Sequence, residues 1–506
     1  MHDTTTHLAL WQSLPFAMIL LPLASAAITS ALKPHWARRV SITVLSVVLA
    51  MSVVLIFKMN ELGESFTYMM GHYPAPWGNE IRAGLLEAVT AFFFVLIMLL
   101  SLLGGLKKLD EHILRDRQNL YYVMIMLLTA ALMAQVYTND IFTAYVFLEI
   151  MTIAACALIV ARTKGRTLVA ATRYMIMNLI GSGLFLLGII LLYDLTGHLL
   201  MSNMKEAIAK LHATGQYTQP LTTAIIVMTI GLSIKSALFP FHSWVPDAYG
   251  FSTPTSSAIL SSLVSKGYIF LLIKVFYRVF GIEVIASTGI LDVLFVFALV
   301  GMIMGSISAI RQSDIRRMIA FSSVAQIGYV YLGIGMGTEA GMMAAMYHIF
   351  SHAVCKSMLF IAAGDLSDVS GDSKQFRDLR GAGYRSPIAG VAFTIGALSM
   401  VGFPFLGGFS SKLNIAMAAM EIGSTPMILV LATLAISTWL NTMYFLKTVI
   451  TLYRKPLKDA PYLDAKGNRS VSFTVSLACF SAVNVLLGIF SQSLISAITN
   501  GLNMFG

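Results

Sequence analysis

Long apolar runs recur along the whole chain, and only short polar segments separate them. Each run has roughly 18 to 27 residues, the length a helix needs to cross the hydrocarbon core of a bilayer. A membrane barrel would alternate apolar and polar residues, but these runs are continuous, so the spanning elements are helices. The pattern predicts about 14 spans, near residues 10–32, 39–58, 83–105, 119–137, 140–162, 168–194, 221–240, 255–279, 289–308, 316–336, 340–363, 388–403 continuing to about 420, 426–452 and 472–498.

Two of these spans contain helix-breaking residues. Pro240 interrupts span 7, and Pro404 with Gly407 and Gly408 interrupts span 12. A proline removes a backbone donor, and a broken helix at membrane depth is tolerated where it lines a cavity. Breaks five spans apart predict two inverted five-helix repeats. The expected divisions are 1–117 for helices 1–3, 118–280 for the first repeat (helices 4–8), 281–453 for the second repeat (helices 9–13) and 454–506 for helix 14.

Composition narrows the class further. Of 506 residues, 57% are hydrophobic and 11% charged, with a mean hydropathy of +0.79, which excludes a soluble globular protein. Cys156, Cys355 and Cys479 lie far apart in apolar runs and form no metal or redox motif. We therefore predict an all-α polytopic membrane protein without a cofactor.

The net charge of +10 is concentrated in alternate loops. Basic residues cluster in the cytoplasmic loops of membrane proteins, so this bias predicts that both termini lie on the outer face. It also accounts for the charge without nucleic-acid binding. The loops after spans 1, 3, 5, 9, 11 and 13 carry Lys33, Arg38, Arg39; Lys107, Lys108, Arg115, Arg117; Arg162, Lys164, Arg166; Arg311, Arg316, Arg317; Lys374, Arg377, Arg380, Arg385; and Arg454, Lys455, Lys458, Lys466, Arg469.

Several ionisable residues lie inside the predicted spans. A charge at membrane depth costs at least about 2.5–3.5 kcal/mol on insertion scales, so such residues require partners, water or both. Three of them step by four residues and form one titratable stripe on a helix face, as a proton path requires. The candidates for proton translocation are Glu149, Lys235, Lys266, His348, His352 and Lys412, with Lys356, His242, Asp247 and Lys447 as auxiliary residues.

The alternative interpretation is structural. His348 and His352 would then be hydrogen-bonded core histidines, and Lys356 an ion-pair partner. Lys447 and Lys274 lie near span ends, where a lysine side chain can reach the interface.

Three segments resemble those of the proton-antiporter-like subunits of respiratory complex I, Mrp cation/proton antiporters and energy-converting membrane hydrogenases. They read FPFHSWVPDAYGFSTPTSSAILSSLVSK, RQSDIRRMIAFSSVAQIGYV and MYHIFSHAVCKSMLFIAAGDL. YPAPWG at 73–78, IFTAYVFLEIMTIAACAL and Lys412 are most similar to the Mrp D-type subunit and its hydrogenase counterpart. The resemblance implies 14 helices in inverted repeats, with Glu149 paired to Lys235, lysines at 266 and 412, and histidines at 348 and 352.

The predicted function is that of a proton-translocating subunit of a multi-subunit membrane complex, most like the Mrp D-type subunit. Partners would be other membrane subunits, protons and the lipid bilayer, in a bacterial or archaeal inner membrane. Alternatives are a proton-pumping subunit of a hydrogenase or of complex I, a solitary transporter of an organic solute, and an inert scaffold. Whether Na⁺ passes through this chain, and whether the complex is an oxidoreductase, stays open.

Overall fold

The fold is described from a computed structural model, which describes residues 10–73, 78–162, 165–456 and 465–505. Within these residues, apart from one short hairpin, the regular structure is helical. Parts of the sequence prediction lie outside the described residues, namely most of YPAPWG, Lys164 and Lys458.

Long apolar helices build the molecule. The first group comprises α1 (Leu14–Ala31), α2 (Pro34–Leu62), α3 (Leu85–His112), α4 (Gln118–Tyr137), α5 (Ile141–Val160), α6 (Gly165–Thr196), α7 (Met201–Thr214) and α8 (Thr218–Ser236). The middle group comprises α9 (Val245–Phe251), α10 (Pro254–Ile259), α11 (Ser265–Lys274), α12 (Ile282–Ser287), α13 (Ile290–Ile310), α14 (Ile315–Gly335) and α15 (Glu339–Asp368). The last group comprises α16 (Ala382–Arg385), α17 (Pro387–Val401), α18 (Gly407–Ala419), α19 (Ser424–Leu452), α20 (Val471–Ile489) and α21 (Ser491–Asn503).

The π-helical segment Leu260–Val264 joins α10 to α11, and a second π-helical segment, Val275–Phe280, extends α11. Together they form one span, Pro254–Phe280. Short 3₁₀ turns at Leu10–Ser13 and Arg115–Arg117 extend α1 and α4 at their N-termini. Within the described residues, 12 helices are long and apolar enough to cross a membrane. The chain is therefore an integral membrane protein.

The two predicted spans missing from that group are the interrupted ones. Span 7 is α8, a break at residues 237–244, and α9; span 12 is α17, a break at 402–406, and α18. A total of 14 spans, and the division into inverted repeats, remain predictions.

Both breaks have backbone that a regular helix cannot adopt. Ala237 lies in the left-handed region at φ 67° and ends α8 four residues before the predicted boundary at 240. In the second break, the free N–H groups of Gly407 and Gly408 donate to Asn484 Oδ1 and Ser399 Oγ, each at 3.1 Å. Side chains of neighbouring helices thus satisfy backbone donors that the break frees.

The loops hold structure that the hydrophobic pattern did not predict. The antiparallel hairpin of β1 (Phe66–Met69) and β2 (Glu80–Ala83) occupies the predicted loop 59–82 and reaches one residue into the predicted third span. The predicted loop 196–218 contains α7, and the predicted last span divides at Phe490 into α20 and α21.

The basic loops meet on one side of the molecule, which we call the basic face. Arg38 after α1 pairs with Asp110 at the end of α3 at 3.1 Å, and Lys108 pairs with Asp368 at the end of α15 at 2.5 Å. Arg162 at the end of α5 pairs with Asp372 at 3.1 Å. These contacts bring the loops after predicted spans 1, 3, 5 and 11 together on one face.

Candidate functional site

The first cluster joins α5, α8 and α11 around Lys235. Lys235 is fully buried in the last turn of α8, and its Nζ lies 3.9 Å from Glu149 Oε1. The ammonium donates to Thr152 Oγ1 at 2.8 Å and lies 5.1 Å from the centre of the Tyr268 ring. Glu149 and Thr152 share a face of α5 because they are three residues apart. The predicted pairing of Glu149 with Lys235 is thus present as a contact.

Glu149 and Lys235 differ in their access to the surface. The Glu149 side chain is 24% exposed on the side of the helical bundle, whereas Lys235 is 0% exposed. The carboxylate therefore lies at the boundary between the protein interior and the outer surface of α5.

Lys266 lies two residues after the π-helical segment Leu260–Val264. It is fully buried, and its Nζ donates to the Ser261 carbonyl at 2.5 Å and to Ser265 Oγ at 3.2 Å. π-bulges occur often at functional sites because they reposition backbone groups within a helix. No carboxylate of the described residues pairs with this ammonium, so neutral dipoles alone accept its hydrogen bonds.

The central cluster lies on α15. His348 Nδ1 and Ser411 Oγ of α18 are 2.6 Å apart, and the His348 ring stacks on Tyr329 at 5.3 Å and on His352 at 5.6 Å. Neither nitrogen of the buried His352 has a hydrogen-bond partner among the described residues. Polar atoms buried in this way usually bond to ordered water.

Lys356 continues the stripe that the four-residue steps predicted. It is fully buried and donates to the Ile319 carbonyl at 3.0 Å and to Ser322 Oγ, both on α14. It forms no ion pair with a carboxylate of the described residues, which disfavours the interpretation of Lys356 as an ion-pair partner.

Lys412 lies at the second break. It is 9% exposed, and its Nζ donates to the carbonyl of Val401, the last residue of α17, at 2.7 Å and to Thr438 Oγ1 at 3.1 Å. The same ammonium lies 5.7 Å from the Tyr329 ring, which also stacks on His348. Tyr329 thus contacts both Lys412 and the histidine cluster.

The other auxiliary candidates, His242, Asp247 and Lys447, lie apart from these clusters. His242 stacks on Phe239 at 5.2 Å within the first break, whose Pro240 is exposed. Asp247 pairs with Arg173 and, at 3.3 Å, with Arg317 on the basic face. Lys447 is exposed on the outer surface of α19, where its side chain can reach the interface.

The structure corrects the interfacial interpretation of Lys274. The residue is fully buried, and its Nζ donates to the carbonyls of Gln135 at 3.0 Å, Val136 at 3.1 Å and Thr138 at 2.5 Å. It thereby caps the C-terminus of α4, where unpaired carbonyls and the helix dipole favour a cation.

A buried ion pair between Glu87 and Arg278 was not predicted. Both side chains are 1% exposed, and Arg278 also donates to the Phe505 carbonyl at 2.9 Å. Each residue lies near the end of its span, where charges are ordinary, so the sequence carried no signal for this pair. No group of three or more histidine, cysteine, aspartate or glutamate side chains in the described part could hold a metal ion.

A bundle of apolar helices with two interrupted spans and a series of buried lysines and histidines defines a class: polytopic membrane proteins that carry ionisable groups through their interior. The profile of the NADH:quinone oxidoreductase/Mrp antiporter transmembrane family matches residues 138–437. The chain belongs to this family and is an antiporter-like membrane subunit of the Mrp or complex I type.

Relatives of both types are found. The chain is 32% identical over 503 residues to NADH-quinone oxidoreductase subunit N of Desulforudis audaxviator, covering 96% of this chain and 97% of the relative. It is 29% identical over 445 residues to antiporter subunit mnhD2 of Staphylococcus haemolyticus, covering 87% and 85%. A chain in the structure of the Mrp complex from Dietzia sp. DQ12-45-1b shares the fold, with a TM-score of 0.84, 22% identity and 98% coverage of both chains.

Proposed function

We propose that this chain translocates protons through Glu149, Lys235, Lys266, His348, His352 and Lys412, as one subunit of a larger membrane complex. The observation that carries the proposal is the Glu149–Lys235 contact of 3.9 Å, in which the lysine is fully buried. Neither charge is tolerable alone in such surroundings, so a movement that separates the pair changes the protonation of one member.

Helix packing supports a continuous route. Helix α8, which carries Lys235, packs against α11, which carries Lys266. The π-helical segment Leu260–Val264 precedes α11 and packs against α15. Helix α15 in turn packs against α18. A proton that leaves Lys235 would pass through Lys266 and water to His352 and His348, and then to Lys412. Hydroxyl groups along the route, Thr152, Ser411 and Thr438, both donate and accept hydrogen bonds.

We place the basic face in the cytoplasm and both termini outside, in the cell membrane of a bacterium or archaeon. The relatives and the structural neighbour named above are subunits of larger assemblies, which supports a complex with other membrane subunits. Proton translocation is proposed for either type of complex, Mrp or complex I.

The test replaces Lys235 by Arg or Ala, and Glu149 by Asp or Ala, in the complete complex reconstituted into vesicles. Arginine stays protonated, so Lys235→Arg should lower the initial rate of proton transport at least about tenfold, as should Lys235→Ala. Glu149→Asp keeps the charge with a shorter reach and should retain part of the rate, whereas Glu149→Ala should not.

Lys447→Ala is the matched control because this lysine lies in a span but is exposed. It should transport at the wild-type rate. Native gels establish that each variant assembles. A Lys235→Ala complex that assembles normally and transports at the wild-type rate would show that the lysine is structural and the chain a scaffold.

A further inference from the structure

A cavity of about 500 Å³ opens on the basic face, away from the buried lysines and histidines. Five segments meet there: the end of α5, the start of α6, the end of α9, the turn before α14 and the loop after α15. Its lining includes Arg162, Arg166, Phe251 and Lys374. We call it the basic-face cavity.

Three cations lie around one aromatic ring of the cavity lining, and two of them, Arg166 and Lys374, line the cavity themselves. The centre of the Phe251 ring lies 5.8 Å from the Arg166 guanidinium carbon, 5.9 Å from that of Arg317 and 6.0 Å from Lys374 Nζ. Each cation is attracted by the ring but repels the other two. Arg317 already pairs with Asp247 at 3.3 Å, so an anion in the cavity would relieve the repulsion between Arg166 and Lys374.

Arg162 supplies a buried donor without a partner. The residue is 7% exposed, and its Nη2 contacts Asp372 Oδ2 at 3.1 Å and His112 Nε2 at 3.3 Å. Its Nε has no hydrogen-bond partner among the described residues. A guanidinium beside the cavity with an unused donor adds to the positive character of the lining, which favours an oxyanion.

The N-terminus of α6 also faces the cavity. Gly165, Arg166 and Thr167, the first residues of this 32-residue helix, belong to the lining. A helix N-terminus carries a partial positive charge, which favours anions.

The two acidic residues of the lining are already engaged. Asp314 accepts from the backbone N–H groups of Arg316 at 2.8 Å and Arg317 at 3.1 Å, which caps α14, and Asp372 pairs with Arg162. Positive charge is therefore in excess. Burial and the charge of Arg316 lower the pKa of Lys374 to about 7.

We propose that the basic-face cavity binds a phosphate group, carried either by the headgroup of an anionic phospholipid or by a small soluble phosphate. Bidentate guanidinium contacts and a helix N-terminus are the standard donors to phosphate oxygens. Leu168 and Val169 are 54% and 55% exposed just beyond Arg166, where the acyl chains of a lipid would lie. This site is independent of the proposed proton route.

The experiment uses the purified complex and two probes. Phosphatidylglycerol binding is measured by native mass spectrometry after exchange into phosphatidylcholine nanodiscs, and radiolabelled inorganic phosphate binding by equilibrium dialysis. The variant Arg166→Gln/Lys374→Gln removes two cations that contact the Phe251 ring. Each Lys or Arg near anionic lipid contributes about 1 kcal/mol, so binding should weaken roughly 10- to 30-fold.

The matched control is Arg311→Gln/Lys455→Gln, which removes the same charge from exposed loop positions of the basic face. It should bind like wild type, as should Lys374→Arg at pH 6, where both side chains are charged. Saturable binding in the lipid arm, lost in the first variant, assigns a lipid headgroup; the same result in the phosphate arm assigns a soluble ligand. The proposal fails if neither probe binds saturably, or if Arg166→Gln/Lys374→Gln and wild type bind alike.

The pH dependence gives a second readout. Lys374 faces Arg316 and Asp314 from the start of α14, Arg162 from α5, and Asp372 from its own loop. Because its lowered pKa leaves it largely neutral at pH 8 and largely charged at pH 6, phosphatidylglycerol should bind more tightly at pH 6 than at pH 8. The single charge of this phosphodiester does not change over that range. Lys374→Arg should abolish the difference, and an unchanged pH profile in that variant would contradict the role of Lys374.

Discussion

Neutral oxygens stabilise most of the buried lysines. Lys266 donates to a carbonyl and a serine hydroxyl, Lys356 to a carbonyl and Ser322, and Lys412 to a carbonyl and Thr438. In the described part, Lys235 is the one lysine of the proposed route that has a carboxylate within 4 Å. A hydroxyl or carbonyl accepts a hydrogen bond from an ammonium without cancelling its charge, so such a lysine can lose its proton without leaving a carboxylate unpaired.

The hydroxyl of Thr152 should therefore matter to transport. Thr152→Val is nearly isosteric and removes the 2.8 Å hydrogen bond from Lys235. A hydrogen bond to a charged group contributes about 1.5–3 kcal/mol, so the protonated lysine should become at least about tenfold less populated relative to the neutral one. We expect a clearly slower initial rate of proton transport in vesicles.

Tyr268→Phe is the comparison. It removes the hydroxyl that lies 3.0 Å from Thr152 Oγ1 but keeps the ring beside the ammonium, so its effect should be smaller. Equal rates for Thr152→Val and wild type, with normal assembly of both, would show that the hydroxyl does not support the charge of Lys235.

The sequence predicted the charged members of these clusters but not their neutral partners. A lysine or glutamate inside an apolar run is conspicuous because placing its charge at membrane depth costs free energy. A threonine or serine is not, since its hydroxyl can bond to a carbonyl of its own helix, as Thr152 does to Leu148 at 2.9 Å. Which hydroxyl also contacts a lysine depends on how the helices pack.

At the scale of the element, the two breaks carry their lysines differently. Lys235 lies in the segment before the break, in the last turn of α8, whereas Lys412 lies in the segment after it. Lys412 bonds to the carbonyl of Val401, which ends α17, and thus lies at the negative end of that helix. The second break accordingly supplies an acceptor to its own lysine.

The geometry of the second break should be sensitive to a single methyl group. A Cβ at Gly408 would lie 1.8 Å from the Ser399 carbonyl oxygen, so Gly408→Ala must displace α18 from α17. Overpacking of this kind costs about 1–3 kcal/mol. We expect a lower melting temperature of the complex and slower proton transport.

Gly423→Ala serves as the control because a Cβ there meets no atom nearer than Pro426 Cδ at 4.0 Å. It should leave both measurements unchanged. A Gly408→Ala complex with the melting temperature and transport rate of wild type would mean that the break adjusts to the added methyl group and is not fixed by close packing.

Proline and glycine made the breaks predictable, since both residues disrupt a helix wherever it is placed. The hairpin of β1 and β2 and the surface helix α7 could not be predicted from the same pattern. They lie between spans, where the apolar periodicity stops. Tertiary contacts fix them, such as the isolated bridges of Ile81 with Thr138 and of Asp140 with Leu200.

At the scale of the molecule, the charge bias makes a prediction about sidedness. Arg377 is exposed in a loop of the basic face, and Lys210 is exposed on α7 at the opposite face. A membrane-impermeant maleimide added to intact cells should label Lys210→Cys and leave Arg377→Cys unlabelled. The background chain should lack Cys156 and Cys479, which are partly accessible. Labelling of Arg377→Cys in sealed cells would invert the proposed orientation of the chain.

Most of the helix positions followed from the apolar runs because bilayer thickness fixes the length of a span. The basic face followed from the loops because lysine and arginine are expensive to translocate. The apolar runs and loop charges did not predict the Glu87–Arg278 pair or the cap that Lys274 forms on α4. Each depends on which span ends come together, and that information is in the packing rather than in any one run.

The interrupted spans have a consequence for how the chain is threaded through the membrane. A count restricted to the 12 continuous helices omits the two interrupted spans, α8–α9 and α17–α18. Because two spans are omitted, the number of spans stays even and both termini remain on the same side of the membrane. The same count would nevertheless reverse the assigned direction of every helix between the two breaks, including α15 with its histidines. Reporter fusions at the termini cannot reveal that error. The contacts of Lys108 with Asp368 and of Arg162 with Asp372 disagree with that threading, and a probe between the breaks, in a loop such as that of Arg377, tests it in the membrane.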